Sequence, residues 1–92
     1  MEKEQEFCVT RDKCGRFSVE EVLVRGTDIK QLQKQMKEFV QSEIQKLEEK
    51  GKAVMAIEDD EANVVEIHYK GDHRLISYYE IQEYSDELAS HN

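Results

Sequence analysis

The sequence predicts an α+β fold: a two-layer, mostly antiparallel sheet in the order β-β-α-β-β-β, with one long amphipathic helix packed on one face. Three observations carry this expectation. Short runs before residue 28 and after residue 52 alternate apolar and polar side chains, the period of a half-buried strand. The segment from Asp28 to Lys50 instead repeats apolar residues at three- and four-residue steps. The four glycines, at 15, 26, 51 and 71, fall between these runs, and proline is absent. An apolar helical stripe has to be buried, and a sheet face is the only surface available to cover it.

Residues 1–5 are polar and predict a frayed start. Phe7 and Val9 then alternate with Cys8 and Thr10, predicting a strand over about 6–11. Asp12-Lys13-Cys14-Gly15 carries turn residues, and Phe17 and Val19 resume the alternation, so the two runs read as a hairpin that sets Phe7 and Val9 beside Phe17 and Val19. Val22 and Val24 keep period two on the opposite parity, which predicts a bulge at Glu20-Glu21.

Ile29, Leu32, Met36, Phe39, Val40, Ile44 and Leu47 form the helical stripe. Asp28 suits the N-cap, with Gln31 three residues on, and Gly51 suits the left-handed stop. Lys34–Glu38, Glu43–Lys46 and Lys46–Glu49 place opposite charges one turn apart, so the polar side, Glu43 included, reads as a solvated face.

Ala53, Met55 and Ile57 alternate with Val54 and Ala56, and Val65, Ile67 and Tyr69 alternate again after Glu58-Asp59-Asp60-Glu61-Ala62-Asn63, predicting a second hairpin. Lys70-Gly71-Asp72-His73 has glycine at the first central position of a type II′ turn, leading to a last strand through Ile76 and Tyr78. Ile81, Tyr84 and Leu88 have helical spacing, and Ser85 before Asp86 and Glu87 would cap a short C-terminal helix. In these registers the face away from the helix carries Val54, Val64, His68, Leu75, Tyr79 and Leu23. That is more apolar than a solvated face needs to be.

The chain has 92 residues, which predicts a single small domain over 1–92 with residues 90–92 frayed. Its 13 basic and 21 acidic residues give a net charge of −8, which disfavours direct binding to nucleic acid. The longest apolar run, Ala53 to Ile57, is far shorter than the roughly 20 residues of a membrane span, and the N-terminus lacks the apolar core of a secretory signal. A cytoplasmic location is the expectation. Cys8 and Cys14 are too few for a disulfide framework and lack the C-x-x-C spacing of zinc and redox sites.

Several candidates for chemistry stand beside plainer readings. Cys14, with Arg11, Lys13 and Arg16 around it, is a candidate reactive thiol, because cations favour the thiolate; the plainer reading is an exposed turn residue. His68 and His73 flank the Gly71-Asp72 turn and, with Asp72, or with Asp59 and Asp60 from a neighbouring loop, could ligate a metal, although their spacing matches no metal motif. Glu58, Asp59, Asp60 and Glu61 are four consecutive acids without the glycine and spacing of an EF-hand, so they read as a solvated loop or as a surface for a basic partner. Tyr69 and Tyr78 are expected to face the helix, leaving Tyr79 and Tyr84 for an exposed role. No phosphate loop, nucleophile elbow or paired catalytic acids occur in the sequence.

The expectation is a non-enzymatic, acidic protein-interaction or regulatory module without a cofactor, of the type that includes phage- and mobile-element-encoded regulators. It would be a homodimer that engages a protein partner with a basic surface, in the sharper form an inhibitor of a nucleic-acid-binding protein. The expected partner-binding residues are Glu58, Asp59, Asp60, Glu61, Leu75, Tyr79 and Tyr84. The alternatives are a small-ligand or metal-binding domain using a cleft between sheet and helix near His68, His73 and Cys14, and a structural subunit of a larger assembly.

Overall fold

The computed structural model describes residues 5–14 and 20–85. Five strands and one helix follow the chain as β1 (Phe7–Lys13), β2 (Glu20–Gly26), α1 (Ile29–Glu49), β3 (Val54–Asp59), β4 (Val64–Tyr69) and β5 (Leu75–Glu83). The strands form one sheet in the order β2-β1-β5-β4-β3, antiparallel at every junction. This is the α+β architecture that the alternating and helical periods predict.

Helix α1 starts where a local acceptor satisfies its free amides. Asp28 is extended, and its Oδ1 accepts from the backbone N–H groups of Lys30 at 3.0 Å and Gln31 at 3.4 Å. The helix stops at Gly51, whose φ of 81° lies in the left-handed region, while its N–H donates to the carbonyl of Glu48 at 2.9 Å. Leu32, Met36 and Val40, one turn apart, are buried on the sheet, flanked by Phe39, Ile44 and Leu47.

The sheet meets this stripe with Val9 from β1, Tyr79 and Ile81 from β5, Val65 and Ile67 from β4, and Val54 from β3. Two slips of register decide which side chains these are. In β2, Val24 pairs with Val9 and Val22 with Thr10, so the extra residue is Leu23 and not the expected Glu20-Glu21. Phe7 pairs with Gly26, so the partners expected at Phe17 and Val19 are replaced by residues further along; Phe17 and Val19 themselves lie outside the described residues. In β5, Ser77 pairs with Ile67 but Leu75 with His68, so Ile76 has no partner in β4.

Because side chains alternate with period two, one extra residue transfers every later residue to the other face. Ser77, Tyr79 and Ile81 therefore face the helix, and Tyr78 faces away, the reverse of the expectation for Tyr78 and Tyr79. β3 is reversed as well: Val54 is buried, while Met55 and Ile57 lie on the far side. Leu23 packs against the core.

Two further expectations are corrected. The β4–β5 connection is not a two-residue type II′ turn, because the left-handed residue is His73, at φ 59°, and Tyr69 pairs with Arg74 across a longer loop. The helical spacing expected at Ile81 and Tyr84 is not realised there: β5 runs to Glu83, pairs with β1, and the Tyr84 N–H continues the ladder by donating to Glu6 O at 2.9 Å. The short helix that Ser85 would cap, with Asp86, Glu87 and Leu88, falls outside the described residues. Among the described residues no helix is long and apolar enough to cross a membrane.

Candidate functional site

Two polar arrangements stand out, one on each side of the sheet. On the helix side, Glu43 occupies a place within the apolar stripe, one turn beyond Val40. Its Oε2 accepts from the Ser77 hydroxyl and its Oε1 from the Tyr79 phenol, and Nη1 of Arg11 lies 4.0 Å from Oε1. Arg11 also binds Glu21 on β2 at 2.7 Å. Ser77 and Tyr79 are 0% exposed, so the carboxylate is what satisfies two buried hydroxyls. Burial, followed by the hydrogen bond to Glu43 and the charge of that carboxylate, pushes the Tyr79 phenol well above the ordinary tyrosine range.

Glu43 is therefore an internal anchor, which corrects its reading as part of the solvated helix face. The signal was its spacing, three residues after Val40 and seven after Met36.

The other face of the sheet lies away from α1 and is organised in rows set by the strand registers, with Cys8 and Thr10 of β1 buried on it. One row reads Glu20, Asp12, Tyr78, Glu66 and Ile57 across β2, β1, β5, β4 and β3. The next reads Val22, Thr10, Glu80, Val64 and Asp59 in the same strand order. Each strand thus contributes one carboxylate to this face, and the acids surround Tyr78 and Val64.

The electrostatics follow the placement. The Tyr78 phenol is pushed up by burial and then by Glu80, Glu66 and Asp59. The Glu80 carboxyl is pushed up by burial and then by Glu20.

Two basic side chains on this face are engaged. Arg25 binds Glu6 through Nη2 at 2.7 Å and lies 4.0 Å above the Tyr84 ring. His68 places Nδ1 2.9 Å from the His73 carbonyl oxygen and Nε2 2.9 Å from Glu66 Oε1.

The expected site residues are only partly brought together. Glu58, Asp59, Asp60 and Glu61 do not form one loop: Glu58 and Asp59 end β3, and only Asp59 joins the acidic face, while its Oδ1 also accepts from the Ala62 N–H at 3.1 Å. Glu58, Asp60 and Glu61 are exposed. Leu75 is half-buried opposite His68. Tyr79 is fully buried and offers no surface to a partner, and Tyr84 is held beneath Arg25.

Cys14 is exposed, but its thiol is pushed up by burial and by Asp12 and Glu66, the opposite of the activation expected from the neighbouring cations. Arg11 turns to the helix side to pair with Glu21 and Glu43. Among the described residues no three His, Cys, Asp or Glu side chains converge as a metal site. His68 lies on the face away from α1, so the expected cleft between helix and sheet does not contain it.

The residues missed in the sequence are Glu20, Asp12, Glu66 and Glu80. Only the strand registers show that they share a face. No protein-family model, curated protein or solved structure matches the chain.

Proposed function

We propose that this protein is a non-enzymatic interaction module whose sheet face away from α1 docks a basic protein surface through its acidic rows. The observation that carries the reading is the contribution of one carboxylate by each of the five strands, Glu20, Asp12, Glu80, Glu66 and Asp59, around the apolar centres Tyr78 and Val64. Carboxylates steer a cationic partner over roughly a Debye length, about 8 Å at physiological ionic strength, and the apolar centres supply contact area once it has docked. A surface of lysines and arginines that ordinarily meets phosphates would meet carboxylates here, which makes inhibition of a nucleic-acid-binding protein the narrower form of the same reading. The setting is the cytoplasm, and regulators encoded by phages and mobile elements are the class in which such a module would serve.

The test is affinity capture from the source cell's lysate with the wild-type protein, with the double variant Glu66→Lys/Glu80→Lys, and with Glu38→Lys on the exposed helix surface as control. The expected result is one stoichiometric basic protein, held by wild type and control, released as salt rises, and lost to the double variant. Retention of the same protein by the double variant, or no stoichiometric protein in any capture, refutes the reading.

A further inference from the structure

The two edges of the sheet are not alike. β2 is guarded by the Leu23 bulge and by Glu20, Glu21 and Arg25. β3 pairs with β4 through six consecutive residues without a slip, and Val54, Met55, Ala56 and Ile57 carry no charge. Among the described residues its outer edge meets no strand, and Ile57, at 47%, is the exposed large hydrophobic side chain.

The direction of the free backbone groups follows from one bond. Lys70 N–H donates to Ala53 O at 3.0 Å, so Ala53 lies in a hydrogen-bonded pair with β4. Antiparallel pairs alternate, so Val54, Ala56 and Glu58 direct their N–H and C=O groups away from the sheet.

The geometry points to a homodimer in which β3 of one copy pairs antiparallel with β3 of a second, giving a continuous ten-stranded sheet. A two-fold axis normal to the sheet, through Ala56, sets Ala56 against its own copy and Val54 against Glu58. All the outward backbone groups of these three residues are then satisfied, in about six new hydrogen bonds. On the open side, Met55 of each copy lies against Ile57 of the other and covers it.

Charge complementarity selects a second copy as the occupant. The same register brings Lys52 of each copy to Asp60 of the other, and among the described residues neither side chain is in an ion pair. Ala56 on the axis leaves room for the close approach. The dimer uses the edge of the sheet and not its face, so it stands independently of the proposed basic partner, although it would put both acidic faces on one side.

The test is sedimentation equilibrium on the full chain, whose protomer mass is 10.8 kDa. Wild type is expected at twice that mass. Ala56→Pro removes an N–H that points outward and leaves the β4 ladder intact, and Ile57→Lys puts a charge in the contact, so both are expected at the protomer mass with unchanged far-ultraviolet circular dichroism. A monomeric wild type, or dimers retained in both folded variants, overturns the proposal.

Should either variant fail to fold, Ala56→Cys in a Cys14→Ser background decides. Facing Cα atoms in a hydrogen-bonded pair are about 5.5 Å apart, within disulfide range, so mild oxidation is expected to give a covalent dimer. A product that remains monomeric overturns the proposal.

Discussion

Removing the hydroxyl of Tyr79 tests whether Glu43 anchors the helix to the sheet. In Tyr79→Phe the ring keeps its buried place, so the main loss is the hydrogen bond donated to a carboxylate, with the weaker interaction of the phenol with Arg11 beside it. Bonds to ionised groups contribute about 1.5–3 kcal/mol. Ser77 still donates to the other oxygen, and Arg11 remains 4.0 Å away, but Glu43 is only 12% exposed and water replaces little of the loss. The expected destabilisation is about 2 kcal/mol, which for a domain of this size lowers Tm by about 8–16 °C. Urea denaturation is the direct assay, with the midpoint reduced and the slope unchanged.

Glu43→Leu is expected to cost more, because two hydroxyls that are 0% exposed lose their acceptor, at about 1–3 kcal/mol each. The double variant Tyr79→Phe/Glu43→Leu removes one of those orphans and is expected to be no less stable than Glu43→Leu alone. A Tyr79→Phe loss below about 0.5 kcal/mol, or strictly additive losses, refutes the anchoring role.

Alkaline pH supplies a second readout. Burial and Glu43 raise the folded pKa of Tyr79 above its unfolded value of about 10. The neutral phenol therefore stabilises the fold fully below about pH 10, and this contribution falls as pH rises through and beyond that value, by at most about 1.4 kcal/mol per pH unit. Tyr79→Phe is expected to flatten the alkaline decline, and an unchanged slope in the variant contradicts the assignment.

The remaining predictions concern the open face. Both acceptors of His68, a carbonyl oxygen and a carboxylate, lack hydrogens, so both ring nitrogens must donate and the imidazolium is the form that fits. The His73 carbonyl first, and then Glu66, hold its pKa above the ordinary value. Its stabilising contribution is complete below about pH 6.5 and is lost as pH rises through the folded pKa. An NMR titration is expected to give His68 a midpoint above about 6.5 that falls in Glu66→Gln; a wild-type midpoint at or below that value refutes the pairing. For the thiols, Cys14 is expected to alkylate more slowly than free cysteine at neutral pH, and the fully buried Cys8 only after denaturation. Faster reaction at Cys14, or labelling of native Cys8, contradicts these environments.

What could be read from the sequence was what local interactions decide. The stripe from Ile29 to Leu47, the Asp28 cap and the Gly51 stop depend on residues within one or two turns. The faces of β4 were readable because Val65, Ile67 and Tyr69 alternate with Val64, Glu66 and His68, whose polar members fix the parity. β3 carried no such information, since Ala53 to Ile57 are all apolar and either parity gives an apolar inner face. The end of the last strand was given helical spacing because Ile81 and Tyr84 also fit a three-residue step. Its pairing with β1, some seventy residues away in sequence, is what decides. The open-face acids were invisible for the same reason, because Glu20, Asp12, Glu66 and Glu80 meet only through cross-strand registers.

Ile76, which has no partner in β4, links the two polar arrangements. It sets the parity of everything after it in β5 relative to β4, so that Tyr79 reaches Glu43 on one face while Tyr78 stands beside Asp12 and Glu66 on the other. With the opposite parity, Tyr78 and Glu80 would point at the helix, and burying Glu80 there without a partner would cost several kcal/mol. The hydrogen bonds of Tyr79 and Ser77 to Glu43 thus do more than satisfy buried hydroxyls: they favour the one register of β5 in which Glu80 and Tyr78 reach the open face. Weakening that anchor is a route by which a change in the core could disorder the acidic rows without altering any residue in them.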